Sequence, residues 1–334
     1  MIKMKIITAE QFQKQEQRAD VSEHDTTLDQ TVLDIIHNVR QQGDLALQKY
    51  TEKFDGVKIN ELLVSAAEFQ EARDKIEPAF LYALQQAKEN ITSFHKGQTE
   101  QSWFMNQPNG IMIGQKVSPL EKVGVYIPGG KAAYPSTVLM NVIPATLAGV
   151  EKIAIATPPQ VDGKVNPYVL AAAHEAGVDT IYKVGGAQAI AALAYGTETV
   201  DKVMKIVGPG NAFVARAKKW VYGDVAIDLI AGPSEICVVA DETAPPAYVA
   251  ADLLSQAEHD EQASAICITT SEQVANEIWR EVEKQTPTLE RKAIIEKSLQ
   301  QNGKIIITKN LNEAFTIVNE LAPEHLQWQL EWRS

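Results

Sequence analysis

The chain has 334 residues, of which 45% are hydrophobic and 22% are charged, and its formal net charge is −12 at pH 7. The length predicts roughly two domains, and the composition is that of a folded globular protein, which excludes intrinsic disorder. The acidic balance excludes a general binder of nucleic acids or anionic membranes, because such a protein needs a basic face.

The sequence also bears on the compartment. Its first residues contain no long apolar stretch typical of a secretory signal, and no apolar run is long enough to span a membrane. Cys237 and Cys267 both lie in apolar runs typical of buried strands, and there is no CxxC pair. These features exclude a thiolate zinc site and predict a cytoplasmic protein with reduced cysteines.

The N-terminal third is predicted to be helical. Residues 1–22 form a short polar segment, which is expected to be an arm. From Leu28 apolar residues recur at helical spacing until Gly43 interrupts them, which predicts a first helix. A second helix is predicted over about 66–94. It opens with Ser65–Glu68, a capping box in which the two end residues bond each other's backbone N–H groups.

The centre of the chain predicts a parallel sheet. The turn pair Asn109-Gly110 first joins two apolar runs in a predicted β-hairpin. Beyond it, short apolar runs are each followed by a Gly- or Pro-rich loop and a helical segment, at the spacing of βα units. These runs cover residues 123–127, 153–156, 180–184 and 203–207. Right-handed crossovers place the loops after these strands along one sheet edge, where α/β proteins bind ligands.

The last third predicts a second α/β unit. Strands are expected at 236–239, 265–269 and 305–308, and a helical segment follows each of them. The fold class is therefore α/β with two parallel-sheet domains, and the boundaries between them fall near residues 126 and 236.

Three Gly-rich loops are the candidates for ligand binding. Pro128–Gly130, Gly185–Ala187 and Gly208–Gly210 each follow a predicted strand and open a helix. None matches a nucleotide motif: Gly130 stands where a Walker loop needs lysine, and Phe213 replaces the third glycine of GxGxxG. Glycine permits close backbone approach and helix N-termini attract anions, so three such loops favour a nucleotide or phosphorylated ligand.

Polar side chains lie beside these loops. Tyr126, Gln188 and Asn211 each stand at or just past a predicted strand end, where they can hydrogen-bond a ribose, a pyrophosphate or an amide. The alternative is that they are solvated turn residues, with Asn211 serving as a helix cap.

Two polar segments in the last third are candidates for metal binding and proton transfer. Gln256 and His259 are three residues apart at a helix end, so they share a face and can bind one cation. Glu324 and His325 follow Pro323 directly and suit proton transfer near neutral pH, provided that the chain turns there. Taken alone, each pair is more typical of a solvated surface.

Together and in this order, the motifs resemble histidinol dehydrogenases over nearly the whole chain. The most specific stretch runs from Ile227 through Gly232–Glu235 to Ser255–His259. The resemblance implies two Rossmann-like domains, the second inserted in the first, plus the short N-terminal arm. The expected division is residues 1–22 for the arm, 23–125 and 237–334 for the first domain, and 126–236 for the inserted, NAD-binding domain.

The resemblance implies an NAD-dependent, zinc-requiring, four-electron oxidation of L-histidinol to L-histidine through histidinaldehyde, the last steps of histidine biosynthesis. It also implies the roles of the site residues: NAD binding by Tyr126, Gln188 and Asn211; zinc and substrate binding by Gln256 and His259; substrate binding by Ser234; and proton transfer by Glu324 and His325, the latter also contacting substrate.

The chain departs from the family pattern at its C-terminus. Family members continue past the Glu-His pair, whereas this sequence stops at Ser334, so a C-terminal truncation is expected. The family's remaining zinc ligands, an Asp and a His, lie in that part, as do a substrate-binding Glu and the tail that the two subunits of the family's homodimer exchange. Three alternatives stay open: a zinc- and NAD-dependent dehydrogenase of another small polyol, an inactive NAD-binding protein, and a zinc hydrolase using Gln256, His259 and Glu324.

Overall fold

A computed structural model describes residues 4–16, 26–129, 134–230 and 234–331. The chain divides into two compact units. Residues 24–231 form a central unit, and residues 1–23 together with 232–334 form a terminal unit. The central unit therefore lies in the sequence between the two segments of the terminal one. None of the described helices is long and apolar enough to cross a membrane.

The strands and helices alternate along most of the chain. The strands are β1 (Lys5–Thr8), β2 (Trp103–Asn106), β3 (Met112–Gln115), β4 (Lys122–Tyr126), β5 (Lys152–Ala156), β6 (Thr180–Tyr182), β7 (Lys205–Val207), β8 (Ala226–Ile227), β9 (Glu235–Ala240), β10 (Ser264–Thr269), β11 (Lys304–Ile307) and β12 (His325–Gln329). The helices are α1 (Ala9–Glu16), α2 (Thr26–Gln42), α3 (Asp44–Asp55), α4 (Ala66–Asp74), α5 (Pro78–Lys96), α6 (Pro135–Leu147), α7 (Pro167–Glu175), α8 (Gly186–Tyr195), α9 (Ala212–Val221), α10 (Pro246–Ala257), α11 (Glu272–Gln285), α12 (Lys292–Asn302) and α13 (Leu311–Leu321).

The central unit is built on a parallel sheet in the order β6-β5-β4-β7-β8. Successive side chains of a strand point to opposite faces, so each strand feeds two apolar layers. Val123 and Val125 pack with α4 to α7 on one face, and Tyr126 packs with α2, α3, α8 and α9 on the other. Helices thus cover both faces, which explains why the strands read as continuous apolar runs.

The N-terminal helices belong to the central unit. The apolar stripe of α2, which includes Val32, Ile35 and Val39, is buried against α8 and α9. The helices over residues 26–96 therefore lie with the central sheet, whereas the sequence assigned 23–125 to the same domain as 237–334. The stripe predicted that this helix face is buried, but it did not identify the partner.

The helix predicted over 66–94 is two helices. α4 ends at Asp74 and α5 begins at Pro78, which lacks an N–H group and is suited to the first turn of a helix. The capping box is confirmed: the Glu68 N–H donates to Ser65 Oγ at 3.2 Å, and the Ser65 N–H donates to Glu68 Oε2 at 3.3 Å. The predicted hairpin is also present, as antiparallel β2 and β3, whose side chains are exposed.

The terminal unit contains a second parallel sheet, in the order β1-β11-β10-β9-β12. Helices α10, α11 and α12 cover one face, and α1 and α13 cover the other. Residues 4–16 do not form a separate arm, because β1 pairs with β11 from Lys5 opposite Lys304. Residues 1–3 and 17–22 of the expected arm lie outside the described residues.

The two cysteines lie on neighbouring strands but on opposite faces of this sheet. Cys267 packs into the layer of α10 to α12, and Cys237 packs into the layer of α1 and α13. Both thiols are free and buried, as predicted. Burial raises the pKa of Cys237 to about 12 and raises that of Cys267 as well, so neither thiol ionises near neutral pH.

Candidate functional site

The Gly-rich loops lie at the carboxyl edge of the central sheet. They follow β4, β6 and β7, and because these strands are parallel, all three loops leave the same edge, as predicted. Gly185 is the N-cap of α8, and Asn211 is the N-cap of α9. Two helix N-termini with free backbone N–H groups therefore begin at this edge. Gly130 of the first loop lies outside the described residues.

Tyr126 ties the end of β4 to the start of α8. Its side chain is buried, and its hydroxyl accepts a hydrogen bond from the Gly186 N–H at 3.0 Å. Burial raises the pKa of Tyr126 to about 12, so the phenol stays protonated at neutral pH. The residue is thus held in place inside the cluster of loops.

Gln188 carries a buried acceptor that nothing in the described residues uses. The residue is only 1% exposed, and its Oε1 atom has no hydrogen-bond partner there. Gly186 has a φ of +64°, and a Cβ atom at that position would lie 2.6 Å from Oε1. Buried polar atoms are rarely left unpaired, so this amide has the character of a ligand contact. Tyr126 and Gln188 are brought together around Gly186.

Asn211 caps the helix after β7, one of the two alternatives that the sequence left open. Its Oδ1 atom accepts the Val214 N–H at 3.1 Å. The preceding loop lies against Tyr126, because a Cβ atom on Gly208 would clash with the Tyr126 carbonyl oxygen. All three expected NAD-binding residues therefore belong to one connected group of loops.

Asp55 is a further partly buried polar residue, and no sequence pattern singled it out. This residue ends α3, and its Oδ2 atom is buried without a hydrogen-bond partner among the described residues. Burial raises the pKa of its carboxyl group to about 6. Its charge also contributes to the raised pKa of Tyr126. An aspartate that precedes a glycine, as Asp55 precedes Gly56, is typical of an exposed helix end, so its partial burial is not expected from the sequence.

The other predicted site residues lie at the amino edge of the terminal sheet. Ser234 immediately precedes β9, and Glu324 and His325 stand at the start of β12, which pairs in parallel with β9. Helix α10 runs back from the carboxyl end of β9 to the start of β10, so its last turn, with Gln256, reaches the same edge. The usual ligand edge of a parallel sheet is the opposite one.

Glu324 and His325 approach each other because the chain turns, which was the condition that the sequence left open. Ala322 adopts a left-handed conformation with φ of +44° at the end of α13, and β12 then begins at His325. Glu324 Oε2 lies 4.0 Å from His325 Nδ1. The same Nδ1 atom lies 3.1 Å from the Glu235 carbonyl oxygen. A carbonyl only accepts, so Nδ1 carries the proton and Nε2 is left basic.

Glu235 is a further residue of this site that the sequence reasoning missed. Its main-chain carbonyl fixes the tautomer of His325. Partial burial and the charge of Glu324 raise the pKa of its own carboxyl group. Glu235 could have been found from the sequence, because it directly follows the predicted site residue Ser234 at the start of β9. Ser234 is half-buried, and its carbonyl accepts the Ser264 N–H at 3.0 Å.

Gln256 and His259 offer two metal donors. Gln256 is buried on the last turn of α10, and His259 Nδ1 lies 2.8 Å from the Ser255 carbonyl oxygen. Nδ1 is therefore the protonated nitrogen, and Nε2 keeps its lone pair, as in histidines that bind metals. No group of three or more His, Cys, Asp or Glu side chains able to hold a metal occurs in the described part of the chain. Catalytic zinc usually has three protein ligands, so this set is incomplete.

Comparison with known proteins gives a consistent result. The sequence model of the family described as histidinol dehydrogenase matches residues 17–334. The histidinol dehydrogenase of Oceanobacillus iheyensis is 54% identical over 97% of this chain and 76% of its own length. That of Listeria monocytogenes serovar 1/2a is 58% identical over 90% of this chain and 70% of its own length.

A solved structure agrees with these sequence matches. The crystal structure of histidinol dehydrogenase from Elizabethkingia anophelis superimposes with a TM-score of 0.91 and 39% identity, covering 99% of this chain and 77% of that one. The family model, the curated relatives and the solved structure each match nearly the whole chain. The chain therefore belongs to the histidinol dehydrogenase family of oxidoreductases.

Proposed function

We propose that this protein oxidises L-histidinol to L-histidine through histidinaldehyde, with NAD as the acceptor, in the last steps of histidine biosynthesis. The observation that carries the proposal is the pair at the start of β12. There the Nδ1–H of His325 is held by the Glu235 carbonyl, which leaves Nε2 available for proton transfer, and Glu324 lies close to the same imidazole ring. An exposed imidazole in a fixed tautomer is suited to repeated proton transfer near neutral pH.

NAD is proposed to bind at the carboxyl edge of the central sheet, in contact with Tyr126, Gln188 and Asn211. The unpaired buried oxygen of Gln188 and the close packing of Gly208 on Tyr126 support this assignment. When bound, NAD supplies the hydride acceptor for each of the two oxidations. The protein residues supply position and proton transfer.

The proposed proton path uses the Nε2 atom of His325 and the carboxylate of Glu324. In the first oxidation, His325 Nε2 takes the hydroxyl proton of L-histidinol as the carbinol carbon loses hydride. Glu324 next removes a proton from the water that adds to the aldehyde carbon and passes this proton to the former carbonyl oxygen, which gives the hydrate. In the second oxidation, His325 takes a hydroxyl proton from the hydrate, having released the first proton to solvent. One alcohol and one water thus give one carboxylic acid, two hydrides and two protons.

Zinc is proposed to bind Gln256 and His259, which also contact the substrate together with Ser234 and His325. The free Nε2 of His259 supports this role. These two donors do not complete a zinc site, so no step of the reaction is assigned to the metal. Zinc titration by calorimetry, with His259→Ala as the comparison, tests the pair: equal affinity in both proteins would contradict it.

The deciding experiment is NADH formation from L-histidinol and NAD with added zinc, with and without a chelator. We expect two NADH to form per histidinol, and we expect NADH formation to stop when the chelator is present. NADH from another small polyol but not from L-histidinol would favour the related dehydrogenase. NAD binding without any turnover would favour the inactive binding protein, an outcome to which the incomplete zinc set lends weight.

We also propose that the protein forms the homodimer that the family resemblance implies, and that it is cytoplasmic. The buried free thiols of Cys237 and Cys267 suit a reducing compartment. Sedimentation equilibrium tests the dimer, and a purely monomeric protein at micromolar concentration would contradict it. Fractionation of the source cells tests the location.

A further inference from the structure

An ion pair between a buried lysine and a partly exposed aspartate contacts the loop after β7. Lys218 of α9 is 2% exposed, and its Nζ atom donates to Asp228 Oδ1 and, at 3.0 Å, to the Gly208 carbonyl. Lys218 shares the buried face of its helix with Val214 and Val221. Burying a charge costs free energy that the partner's attraction only partly offsets, so the pair is not explained by stability alone.

Asp228 completes the hold on the loop. It directly follows β8, and its Oδ2 atom accepts the Gly208 N–H at 2.8 Å. The N–H of Gly208 is therefore bound by Asp228, and its C=O is bound by Lys218. Gly208 has a φ of +108° and packs on the Tyr126 carbonyl, so its backbone position is fixed from three directions. Asn211, the cap of α9, lies three residues further along.

We propose that Lys218 and Asp228 are positioning residues that hold the Gly208–Asn211 loop ready to receive the nucleotide. This inference rests on the proposed function, in which that loop binds NAD. A lysine and an aspartate together are neutral, so the pair acts through loop geometry and not by attracting the pyrophosphate. A loop that is ordered before binding loses less conformational entropy when the ligand arrives, and affinity increases accordingly.

The test replaces each partner and measures the dissociation constant for NAD by calorimetry. Lys218→Met keeps the apolar stem and removes the charge, and it should weaken NAD binding roughly tenfold or more. Asp228→Asn, which retains an acceptor oxygen, should weaken it less. Hydrogen exchange of the 208–211 amides without NAD should become faster in both variants, because the loop loses its anchors.

Arg216→Met provides the matched control. Arg216 lies on the same helix, and its Nη1 atom is 3.1 Å from Asp29 Oδ1, so this variant also removes an ion pair but none of the loop contacts. It should lower the melting temperature and leave NAD affinity within about twofold of the parent.

Unchanged NAD affinity in folded Lys218→Met and Asp228→Asn proteins would overturn the inference and leave the pair with a structural role. Asp228→Asn decides the matter where Lys218→Met does not fold. Absence of NAD binding by the parent chain is a different result: it refutes the proposed NAD site, and the inference falls with it.

Discussion

The two parallel sheets of this protein place their candidate site residues at opposite edges. In the central sheet these residues follow the carboxyl ends of the strands, where Gly-rich loops open helices. In the terminal sheet they stand at the amino ends of β9 and β12 and on the last turn of α10. The edge rule for α/β proteins describes the first sheet and not the second.

The difference reflects which backbone groups each edge exposes. Helix N-termini at a carboxyl edge offer free N–H groups, which suit a nucleotide phosphate. The amino edge offers helix C-termini and strand starts, and there carbonyls of Ser255 and Glu235 hold the Nδ1–H groups of His259 and His325. The carboxyl edge of the central sheet is thus suited to binding anions. The amino edge of the terminal sheet instead holds histidines whose Nε2 atoms keep their lone pairs.

The largest effect is expected from His325→Asn. Removing the general base should lower turnover of L-histidinol roughly 10³-fold, while NAD affinity and zinc content stay unchanged, because those contacts lie elsewhere. Steady-state NADH formation, calorimetry and metal analysis measure the three quantities. His174→Asn, at an exposed site on α7, is the control. A parallel loss of NAD affinity would contradict the assignment of NAD binding to Tyr126, Gln188 and Asn211 of the central sheet.

Glu324→Gln should have the next largest effect, and an unequal one. The second oxidation needs activated water, so it should slow by roughly 10²-fold, whereas the first should slow less. Single-turnover reactions started from L-histidinol and from histidinaldehyde separate the two steps. Equal slowing of both would remove the assigned role in hydration.

Gly208→Ala tests the central edge. Both Gly208 and Gly223 have positive φ, at +108° and +109°, but only the Cβ at Gly208 meets other atoms, because nothing lies within 4 Å at Gly223. Gly208→Ala should therefore cost about 1–3 kcal/mol more in unfolding free energy than Gly223→Ala, and it should weaken NAD binding. Urea unfolding of both variants measures the difference. Equal costs would show that the approach to Tyr126 is not tight.

The smallest effect is expected from Asp55→Asn, and it depends on pH. The pKa of Asp55 is raised from 3.8 to about 6, so the folded protein holds this proton more tightly than the unfolded chain. Stability from this group is fully present below about pH 4 and is lost as pH rises through 6. The variant should therefore be more stable than the parent at pH 7, by on the order of 1 kcal/mol after allowance for partial exposure.

Urea unfolding of both proteins at pH 4 and pH 7 measures this linkage. The difference between variant and parent should grow as the pH rises. A constant difference would mean that the Asp55 carboxyl is hydrated in the folded protein.

Sequence reasoning worked best where burial leaves an apolar run. Strands covered by helices on both faces, such as β4 and β5, were found within a residue or two. β12 was missed because His325–Gln329 is largely exposed and polar, and its place in the sheet comes from pairing with β9. Such pairing links residues that are far apart in the chain, so no local pattern encodes it.

The candidate site likewise combines features that are visible in the sequence with features that only the fold creates. The spacing of Gln256 and His259 placed both near one helix end, but the carbonyl that fixes each histidine tautomer comes from folded geometry. The burial of Lys218 could have been predicted from the sequence, because Val214, Lys218 and Val221 recur at the helical spacing of the buried face of α9. Its partner, Asp228, follows another strand, so the pair itself was not visible in the sequence.

The arrangement of the cysteines gives the terminal unit a built-in reporter of opening. Because the sheet separates Cys237 from Cys267, reaching one thiol requires displacing α1 and α13, and reaching the other requires displacing α10 to α12. Labelling by a thiol reagent therefore reports the loss of each helical layer independently, without any introduced probe. A difference between the two labelling rates would reveal which helical layer detaches first. The two thiols also cannot form a disulfide with each other while the sheet is intact, because they point to opposite faces.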